Sequence, residues 1–442
     1  MVFLPRAEVL TPSIRARAVR SIPKPVRIVI FAICFAGIVF GGFSANRAYR
    51  FRDHLSQARI ATMEGRISLA VAHLRACESI DSDDRRLMIL QSRVARMSQH
   101  WPRAEEALEQ YWANYGDDDS LAFERLLLNA ARDGVDPALG VLNARIAAGG
   151  DSSRLGRHAL VSGYIREFRY GEAQAELRAW GQAFPGDPLQ VLLRGKLQEQ
   201  LLDHQGAIEI YSDLVLRNPD HLEARLRLAI LLMQQREAAQ ALGHLQILRG
   251  GMADNTEVAV QWALALRQVG RTDEAIRALD DVLAKNPDSA MALTERAALS
   301  LNAGDDAAAA ELLAKSLKSE PGSIGTRNML VLALTRLGRT DDVKRELATI
   351  QSLMADSDRL TELTQGALQN RPDDPAPPFE IGGIALRAGQ PSEAIRWYQT
   401  ALKRDPNHGP SHTALAVIYL EIGNPVLATR HRALAASAGP RR

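Results

Sequence analysis

The sequence has little cysteine and few aromatic residues. Cys34 lies in an apolar run and Cys77 lies far from it along the chain, so the two thiols predict no disulfide framework. Aromatic residues make up only 5% of the 442 residues, whereas Ala, Leu and Arg are abundant. This composition suits many closely packed helices and gives no sign of a collagen-like, low-complexity or disordered chain.

Motifs of catalysis and metal binding are also missing. The sequence has no GxxxxGK[ST] phosphate loop, no GxGxxG after a strand, and no GxSxG, HExxH or CxxC. His408 and His412 are spaced four apart, but the intervening Gly-Pro predicts a loop. The acidic runs at Asp117–Asp119 and between Asp81 and Asp84 lack the glycine and closing glutamate of a calcium loop, so we interpret them as turns and helix N-caps. We therefore expect no enzyme activity, no cofactor and no metal.

An excess of positive charge is confined to the N-terminal tail. Residues 1–27 carry six Lys and Arg against one acid, Glu8. Residues 28–442 carry 48 basic and 51 acidic side chains, a net charge of −3. A nucleic-acid-binding body would show a basic surface. We therefore expect no nucleic acid among the partners.

One long hydrophobic run follows this tail. Residues 28–46 are 19 consecutive residues without a charge, bounded by Arg27 and Arg47. As a helix they span about 28 Å, close to the ~30 Å hydrocarbon core of a bilayer, and they lack the polar stripe of a core helix. We interpret the run as an uncleaved transmembrane helix in contact with the lipid bilayer. A secretory signal cleaved after Ser44, a mitochondrial presequence and a buried core helix are the alternatives.

The orientation of this helix is nearly balanced. The 20 residues on each side of the run both carry five Lys and Arg, so the positive-inside rule gives a tie. Long domains translocate largely regardless of charge, and moving six positive charges outward is unfavourable. We therefore favour a tail on the inside and a body on the outside, with the opposite orientation left open.

The rest of the chain repeats with a period of 34 residues. In the segment 188–221, Gly195 takes position 8, Ala207 position 20, Tyr211 position 24 and Pro219 position 32. Small residues at 8 and 20 allow two helices to cross closely, glycine at 15 permits a turn of positive φ, and proline at 32 ends the second helix. The same frame fits further segments, clearly or as weaker copies: 51–84, 85–118, 119–152, 154–187, 222–255, 256–289, 290–323, 324–357, 375–408 and 409–442.

This pattern resembles the tetratricopeptide repeat family. The resemblance implies an all-α fold, a right-handed α-solenoid of about eleven helical hairpins preceded here by one transmembrane helix. It also implies a concave groove, lined by positions 2, 5, 9, 12 and 13 of each first helix, that takes an extended peptide or a helix of a protein partner. The candidate groove residues are Lys196, Gln200, Ile230, Met233, Leu264, Arg267, Asn302, Asn328, Arg336, Phe379 and Arg387.

The frame breaks once, at residues 358–374, which are half a period long. We predict a helix from Asp358 to Asn370 followed by a proline-rich joint, which is either an extended loop of a degenerate repeat or a hinge for the last two hairpins. The predicted units are a basic tail (1–27), a transmembrane helix (28–46), degenerate hairpins (47–153), a repeat array (154–357), an irregular helix with its joint (358–378) and a C-terminal pair of hairpins (379–442).

Together these features predict a membrane-anchored scaffold for protein–protein interactions. Within the family this layout is commonest in the assembly or export of an envelope component, such as a polysaccharide or a pilus. The resemblance therefore implies a single-pass protein of the bacterial inner membrane with its repeats in the periplasm. An accessory carbohydrate- or polymer-binding subunit of an envelope enzyme complex is the alternative, although the groove has few aromatic residues.

Overall fold

The computed structural model describes residues 45–252, 255–371 and 373–437, and these residues form helices and turns with no β-strand. The helices are α1 (45–63), α2 (Ile67–Glu78), α3 (Arg85–Met97), α4 (Trp101–Tyr115), α5 (Asp119–Arg132), α6 (Leu139–Ala147), α7 (Gly150–Arg166), α8 (Tyr170–Ala183), α9 (Pro188–Gln200), α10 (His204–Arg217), α11 (Leu222–Gln234), α12 (Ala238–Gly251), α13 (Thr256–Gln268), α14 (Thr272–Lys285), α15 (Ala290–Asn302), α16 (Asp306–Ser319), α17 (Ile324–Arg336), α18 (Thr340–Glu362), α19 (Leu368–Asn370), α20 (Ala376–Arg387), α21 (Pro391–Arg404), α22 (Gly409–Glu421) and α23 (Pro425–Ser437).

These helices form stacked hairpins, which we number in chain order. Hairpins 1 to 9 are the successive pairs from α1–α2 to α17–α18, hairpin 10 is α20–α21 and hairpin 11 is α22–α23. Nearly every helix packs against the next along the chain, and first helices of successive hairpins also touch, as α11 does α13 and α13 does α15. The all-α class is therefore confirmed, and the handedness of the stack stays a prediction. First helices begin where the 34-residue frame begins a repeat at residues 85, 119, 188, 222, 256, 290, 324 and 409.

Small residues at two positions of the frame let the hairpins close. The alanines at position 20 are no more than 2% exposed: Ala70, Ala104, Ala138, Ala173, Ala207, Ala241, Ala275, Ala309, Ala394 and Ala428. In hairpin 5 the ring of Tyr211 fills the space beside position 8, so a Cβ on Gly195 would overlap it. Gly382 and Tyr398 repeat this relation in hairpin 10.

The turn at position 15 has a positive φ in ten hairpins. Six use glycine, with φ between 72° and 85°, namely Gly65, Gly270, Gly304, Gly338, Gly389 and Gly423. The other four reach φ of 60–64° with a larger side chain, namely Gln99, Phe168, Leu202 and Arg236. These four positions carry the steric cost that a side chain pays in the left-handed region.

The acidic runs are helix caps, as the sequence predicts. The carboxylate of Asp84 accepts the backbone N–H of Arg86 at 2.8 Å, and that of Asp118 accepts the N–H of Leu121 at 2.9 Å. The loop predicted around the two histidines is wrong, because α22 already begins at Gly409 and contains His412. A proline in the first turn of a helix lacks only an N–H that has no helical partner, so Gly-Pro does not break this helix.

The helix predicted from Asp358 to Asn370 ends where the sequence predicts, but its predicted start at Asp358 is wrong. The helix α18 continues through a π-helical turn, Leu363–Ala367, into α19 without interruption. Position 32 of the ninth repeat is Ala355 instead of proline, so nothing ends the second helix of hairpin 9 at the usual place. The next hairpin begins after the joint, at Ala376.

Two contacts join hairpins that are far apart in the chain. Arg66, in the turn of hairpin 1, forms an ion pair with Asp220, and His221 Nε2 lies 3.0 Å from the carbonyl oxygen of Glu64. On the other side, Arg166 of hairpin 4 forms an ion pair with Glu393 of hairpin 10. The C-terminal hairpins therefore return to the N-terminal part of the stack.

The contact between hairpins 4 and 10 is also aromatic and main-chain in character. The rings of Phe168 and Trp397 stack with their centroids 6.3 Å apart and an interplanar angle of 17°. Lys403 Nζ donates a hydrogen bond to the carbonyl oxygen of Asp133, in the turn of the neighbouring hairpin 3. Three kinds of interaction thus hold α21 against the N-terminal hairpins.

The predicted basic tail and transmembrane helix lie outside the described residues, apart from residues 45–46, which belong to α1. Among the residues that the structure describes, no helix is both long and apolar enough to cross a membrane.

Candidate functional site

A cavity of about 730 Å³ lies where the C-terminal hairpins return to the stack. One wall consists of the inner positions of hairpins 2 to 6, on α3, α7, α9 and α11. The opposite wall consists of α18, α20 and α21. Residues at position 5, 9, 12 or 13 of the first helices of hairpins 2, 4 and 5 line this cavity. These are positions that the sequence predicts for the groove, so the cavity lies on the predicted groove side.

The N-terminal wall of the cavity is cationic. The side chain of Arg96 is 1% exposed, and its Nη1 lies 3.3 Å from Nδ1 of His158. Its Nη2 lies 3.7 Å from the carboxylate of Glu124, which already accepts the Nε of Arg93 at 2.8 Å. Within the described chain, Nε and Nη2 of Arg96 have no hydrogen-bond partner. Arg96 is therefore a deeply buried cation whose guanidinium is loosely paired with Glu124.

Lys196 stands next to this group on α9. It lines the cavity, and no described residue gives its Nζ a hydrogen bond or an ion pair within 4 Å. Burial, and then the charge of Arg227, lower the pKa of the Lys196 ammonium. Burial also lowers the pKa of Arg96 to about 10, so the guanidinium stays charged at neutral pH. Burial and the charges of Arg96 and Lys196 hold the pKa of His158 well below its usual value, so His158 is neutral there.

The acids at the cavity are already occupied by other cations. Glu393 is shared between Arg166 and Arg396, whose Nε lies 3.0 Å from it. Asp356 accepts Nε of Arg387 at 2.7 Å. The wall therefore has more positive charge than its own carboxylates neutralise.

The C-terminal wall adds an apolar cluster to the charged residues on α18 and α21. Leu360, on the extended part of α18, packs with the buried side chains of Ile381, Ile384 and Trp397. Phe168 joins this cluster from hairpin 4. The cavity thus combines charged groups with a hydrophobic part, as small-molecule sites often do.

Two of the predicted groove residues line this cavity, namely Lys196 and Gln200. Met233 is buried in the core between hairpins, and Ile230 and Leu264 are partly buried against the same core. Hydrophobic side chains at these positions fill the space between neighbouring hairpins, and Met233 leaves no surface for a partner.

Three predicted arginines are held by groups of neighbouring helices. Each lies on a first helix and bonds to a group outside that helix: Arg267 to Glu295 at 3.2 Å, Arg336 to Asp306 and to the carbonyl of Leu301 at 3.2 Å, and Arg387 to Asp356. These arginines therefore link neighbouring elements.

The remaining three predicted residues lie apart from the cavity. Asn302 and Asn328 are exposed on hairpins 8 and 9. Phe379 packs against the ring of Tyr398, with centroids 5.4 Å apart, and against His408 at 5.1 Å. The role of all eleven residues in binding a partner stays a prediction.

Sequence reasoning missed Arg96, His158 and Arg166. The frame places them at groove positions 12, 5 and 13, in the weaker copy of hairpin 2 and in hairpin 4. A search for charged residues at groove positions of every copy finds them. No such signal exists for Trp397, because its place depends on the return of the C-terminal hairpins.

A resident metal has no obvious site in the described part of the chain. There, no group of three or more His, Cys, Asp or Glu side chains could hold an ion. The thiol of Cys77 is buried, and burial raises its pKa to about 11.

Comparison with known proteins identifies the repeats. Models of the tetratricopeptide repeat match residues 202–259, 260–324, 379–408 and 397–429. A tetratricopeptide repeat-containing protein of Pseudomonas aeruginosa is 30% identical over 205 residues, which cover 42% of this chain and 34% of that protein. The chain thus spans about a third of the length of this curated relative.

Solved structures with similar hairpins are more distant. MamA of Desulfovibrio magneticus RS-1, from residue 41 to its end, is 20% identical, with a TM-score of 0.35 and coverage of 38% of this chain and 95% of MamA. A tetratricopeptide repeat protein of Parabacteroides merdae is 15% identical, with a TM-score of 0.30 and coverage of 57% and 93%. The repeating hairpins and these four matches show that the chain contains tetratricopeptide repeats, a repeat that suggests a scaffold for protein–protein interactions.

Proposed function

We propose that this chain is a membrane-anchored scaffold that gathers proteins for the assembly or export of a bacterial cell-envelope component. The observation that carries the proposal is a row of exposed groups on the first helices of hairpins 8 and 9. Asn302, Asn328 and Arg336 are exposed there, and Leu332 is 43% exposed. Mixed amide, cationic and apolar groups in one row suit a peptide or helix better than a small ligand.

The occupant of this row would be a helix or an extended segment of a partner. The chain offers an example of such an arrangement, because its own α21 lies against hairpin 4 with an ion pair and a ring stack. A helix from a partner would meet groups of the same kind on hairpins 8 and 9. Membrane anchoring rests on the apolar run 28–46, and the envelope role rests on the usual setting of this layout in the family.

A photo-crosslinking amino acid tests the row directly. It is placed at Asn302 or Asn328 of the full-length chain in living cells, with matched controls at Lys318 and Lys344, which are exposed on second helices. We expect one and the same protein adduct from both asparagine positions and none from the lysine positions. Equal adducts from all four positions would contradict the proposal. So would no adduct together with saturable binding of an envelope glycan, which would favour the carbohydrate-binding alternative.

The side of the membrane is tested with two C-terminal fusions of the full-length chain. Alkaline phosphatase is active only in the periplasm, and a standard green fluorescent protein exported through the general pathway does not fluoresce there. We expect an active phosphatase and a dark fluorescent protein in the membrane fraction. The opposite pair of results would place the repeats in the cytoplasm and overturn the periplasmic part of the proposal.

A further inference from the structure

We propose that the cavity between hairpins 2 to 6 and the returning C-terminal helices binds a small organic anion with an apolar body. The charged end is an oxyanion, either a carboxylate or a phosphate monoester. This inference goes beyond the scaffold function, because it concerns a small ligand and a different surface from the row on hairpins 8 and 9.

Unneutralised positive charge is the first observation behind this inference. Arg96 is almost wholly buried, its contact with Glu124 is long at 3.7 Å, and two of its nitrogens have no hydrogen-bond partner among the described residues. Lys196 faces the same cavity with no hydrogen bond or ion pair in the described chain. Glu124 pairs Arg96 within the chain, whereas Lys196 has no such partner. Buried charge is costly unless it is paired, and an anion in the cavity would pair Lys196.

The saturation of nearby acids is the second observation. Glu393 is held between Arg166 and Arg396, and Asp356 is held by Arg387. Neither carboxylate is therefore free to neutralise Lys196. Glu223 and Glu199 act on its ammonium at longer range, but Glu223 accepts the N–H of Ser68 and Glu199 is paired with Arg227. An anion in the cavity would add the direct partner that Lys196 lacks.

The size and the opposite wall of the cavity define the rest of the ligand. A volume of about 730 Å³ lies within the range of ~300–1,000 Å³ that small-molecule sites occupy. The stacked rings of Phe168 and Trp397 and the side chains of Ile381 and Ile384 line the same cavity as Lys196 and give it an apolar part. An anion that bears a small aromatic or aliphatic body fills both environments.

The test uses isothermal titration calorimetry with the purified full-length chain. The probes are phenyl phosphate, phenylacetate and, as a neutral molecule of the same shape, phenylacetamide. We expect saturable binding of one stoichiometric equivalent of at least one anion and no measurable binding of phenylacetamide. The better of the two anions tells whether the site prefers phosphate or carboxylate. Inorganic phosphate that binds as tightly as phenyl phosphate would overturn the apolar half of the inference.

Matched variants locate the binding in the cavity. Lys196→Met removes the charge at nearly constant volume, and we expect the affinity to fall by about tenfold or more, since charge-assisted hydrogen bonds are the strong ones. Lys344→Met removes an exposed lysine outside the cavity and should leave the affinity unchanged. Lys196→Arg should retain binding within about threefold.

The fold of each variant is checked by circular dichroism before titration. If Lys196→Met does not fold, Lys196→Gln serves as a second neutral variant with a polar end. Unchanged affinity in a folded neutral variant, or no binding of either anion to the unaltered chain, would overturn the proposal.

Discussion

At the scale of single residues, the ring at position 24 decides what position 8 can hold. Tyrosine at 24 is paired with glycine at 8 in hairpins 5 and 10. Where position 24 is leucine, position 8 carries a side chain, as in Ala229 with Leu245, Ala263 with Leu279 and the larger Val161 with Leu177. A large tyrosine ring at position 24 leaves no room for a side chain at position 8, as close packing requires.

We expect Gly195→Ala to destabilise the chain. The added Cβ would overlap the ring of Tyr211, and overpacking costs about 1–3 kcal/mol, partly offset by the ~1 kcal/mol that alanine gains over glycine in a helix. In a Tyr211→Leu background the same substitution should become stabilising, because the clash is gone. Urea unfolding followed by circular dichroism measures both effects.

Gly243→Ala is the matched control for this prediction. It lies in α12, and a Cβ there would meet no atom within 4 Å. We expect it to stabilise by about 1 kcal/mol. A loss of stability at Gly243 equal to that at Gly195 would show that the ring is not the cause.

Leu202→Gly should stabilise the chain. Leu202 has a φ of 60° and is 79% exposed, so glycine relieves backbone strain and gives up little buried surface. Removing the strain of a side chain in the left-handed region stabilises the fold by about 1–2 kcal/mol. The greater conformational entropy of glycine in the unfolded chain offsets part of this gain. Thermal unfolding should show a higher midpoint for Leu202→Gly and a lower one for Gly270→Ala, whose φ is 85°. A lower midpoint for Leu202→Gly would contradict the strain at this turn.

At the scale of helices, the repeat frame predicts well wherever the markers are present. The 34-residue period correctly predicts where α9, α11, α13, α15 and α17 begin. It does so because local signals in the sequence end the helix before each of them. The repeat frame could not predict the extension of α18. It results from a missing stop at Ala355, and the absence of a marker does not say how far a helix continues.

The extended end of α18 helps to position the last two hairpins. Leu360 and Leu363 pack with Ile381, Ile384 and Trp397 in one cluster. The π-helical turn brings Leu363 almost completely out of solvent. Single π-helical turns often mark functional sites, and here the turn borders the helix that lines the cavity.

We expect Trp397→Ala to release the C-terminal hairpins. The ring is buried between Phe168 and the α18–α20 cluster, and replacing a buried tryptophan by alanine costs about 3–5 kcal/mol. Hydrogen exchange followed by mass spectrometry should show faster exchange in α20 and α21 with little change in hairpins 5 to 8. Trp112→Ala, at a side chain that is 53% exposed, is the control and should leave exchange unaltered. Unchanged exchange in Trp397→Ala would mean that this cluster does not hold hairpin 10.

At the scale of the whole molecule, buried histidines should make the fold sensitive to acid. Two pairs face each other with Nδ1 atoms 3.0 and 2.9 Å apart, His54 with His73 and His412 with His431. Burial is the largest cause that lowers the histidine pKa values, and neighbouring cations or imidazoles add to it. The histidines with a lowered pKa are His73, His158, His221, His244 and His431.

We therefore expect stability to fall as the pH drops from about 7.5 to about 5.5. The unfolded chain binds protons at these imidazoles near their ordinary pKa of 6.5, whereas the folded chain binds them only at lower pH, so acid favours unfolding. Glu167 and Glu295 have raised pKa values and act in the opposite sense, but nearer to pH 4.5. Thermal midpoints across this range should decrease, and less steeply for His431→Asn. A midpoint that rises on acidification would contradict the account.

The candidate site could be predicted only in part from the sequence. Lys196 and Gln200 follow from the frame, because groove positions are defined within one hairpin. The other wall depends on contacts between residues more than 200 apart, such as Arg166 with Glu393. A repeat pattern describes neighbouring units and carries no information about the curvature that brings distant units together.

The most direct test of the account is whether hairpin 10 lies against the N-terminal hairpins in solution. Asp133→Cys and Lys403→Cys are introduced in a full-length chain whose Cys34 and Cys77 are changed to serine and alanine, because Lys403 bonds to the carbonyl of Asp133. A short bismaleimide is added at low protein concentration, and the tryptic peptides are analysed by mass spectrometry. Arg267→Cys with Glu295→Cys, which are paired at 3.2 Å in neighbouring hairpins, is the positive control. The account predicts an intramolecular link between residues 133 and 403 in high yield, and a control that links while this pair does not would contradict it.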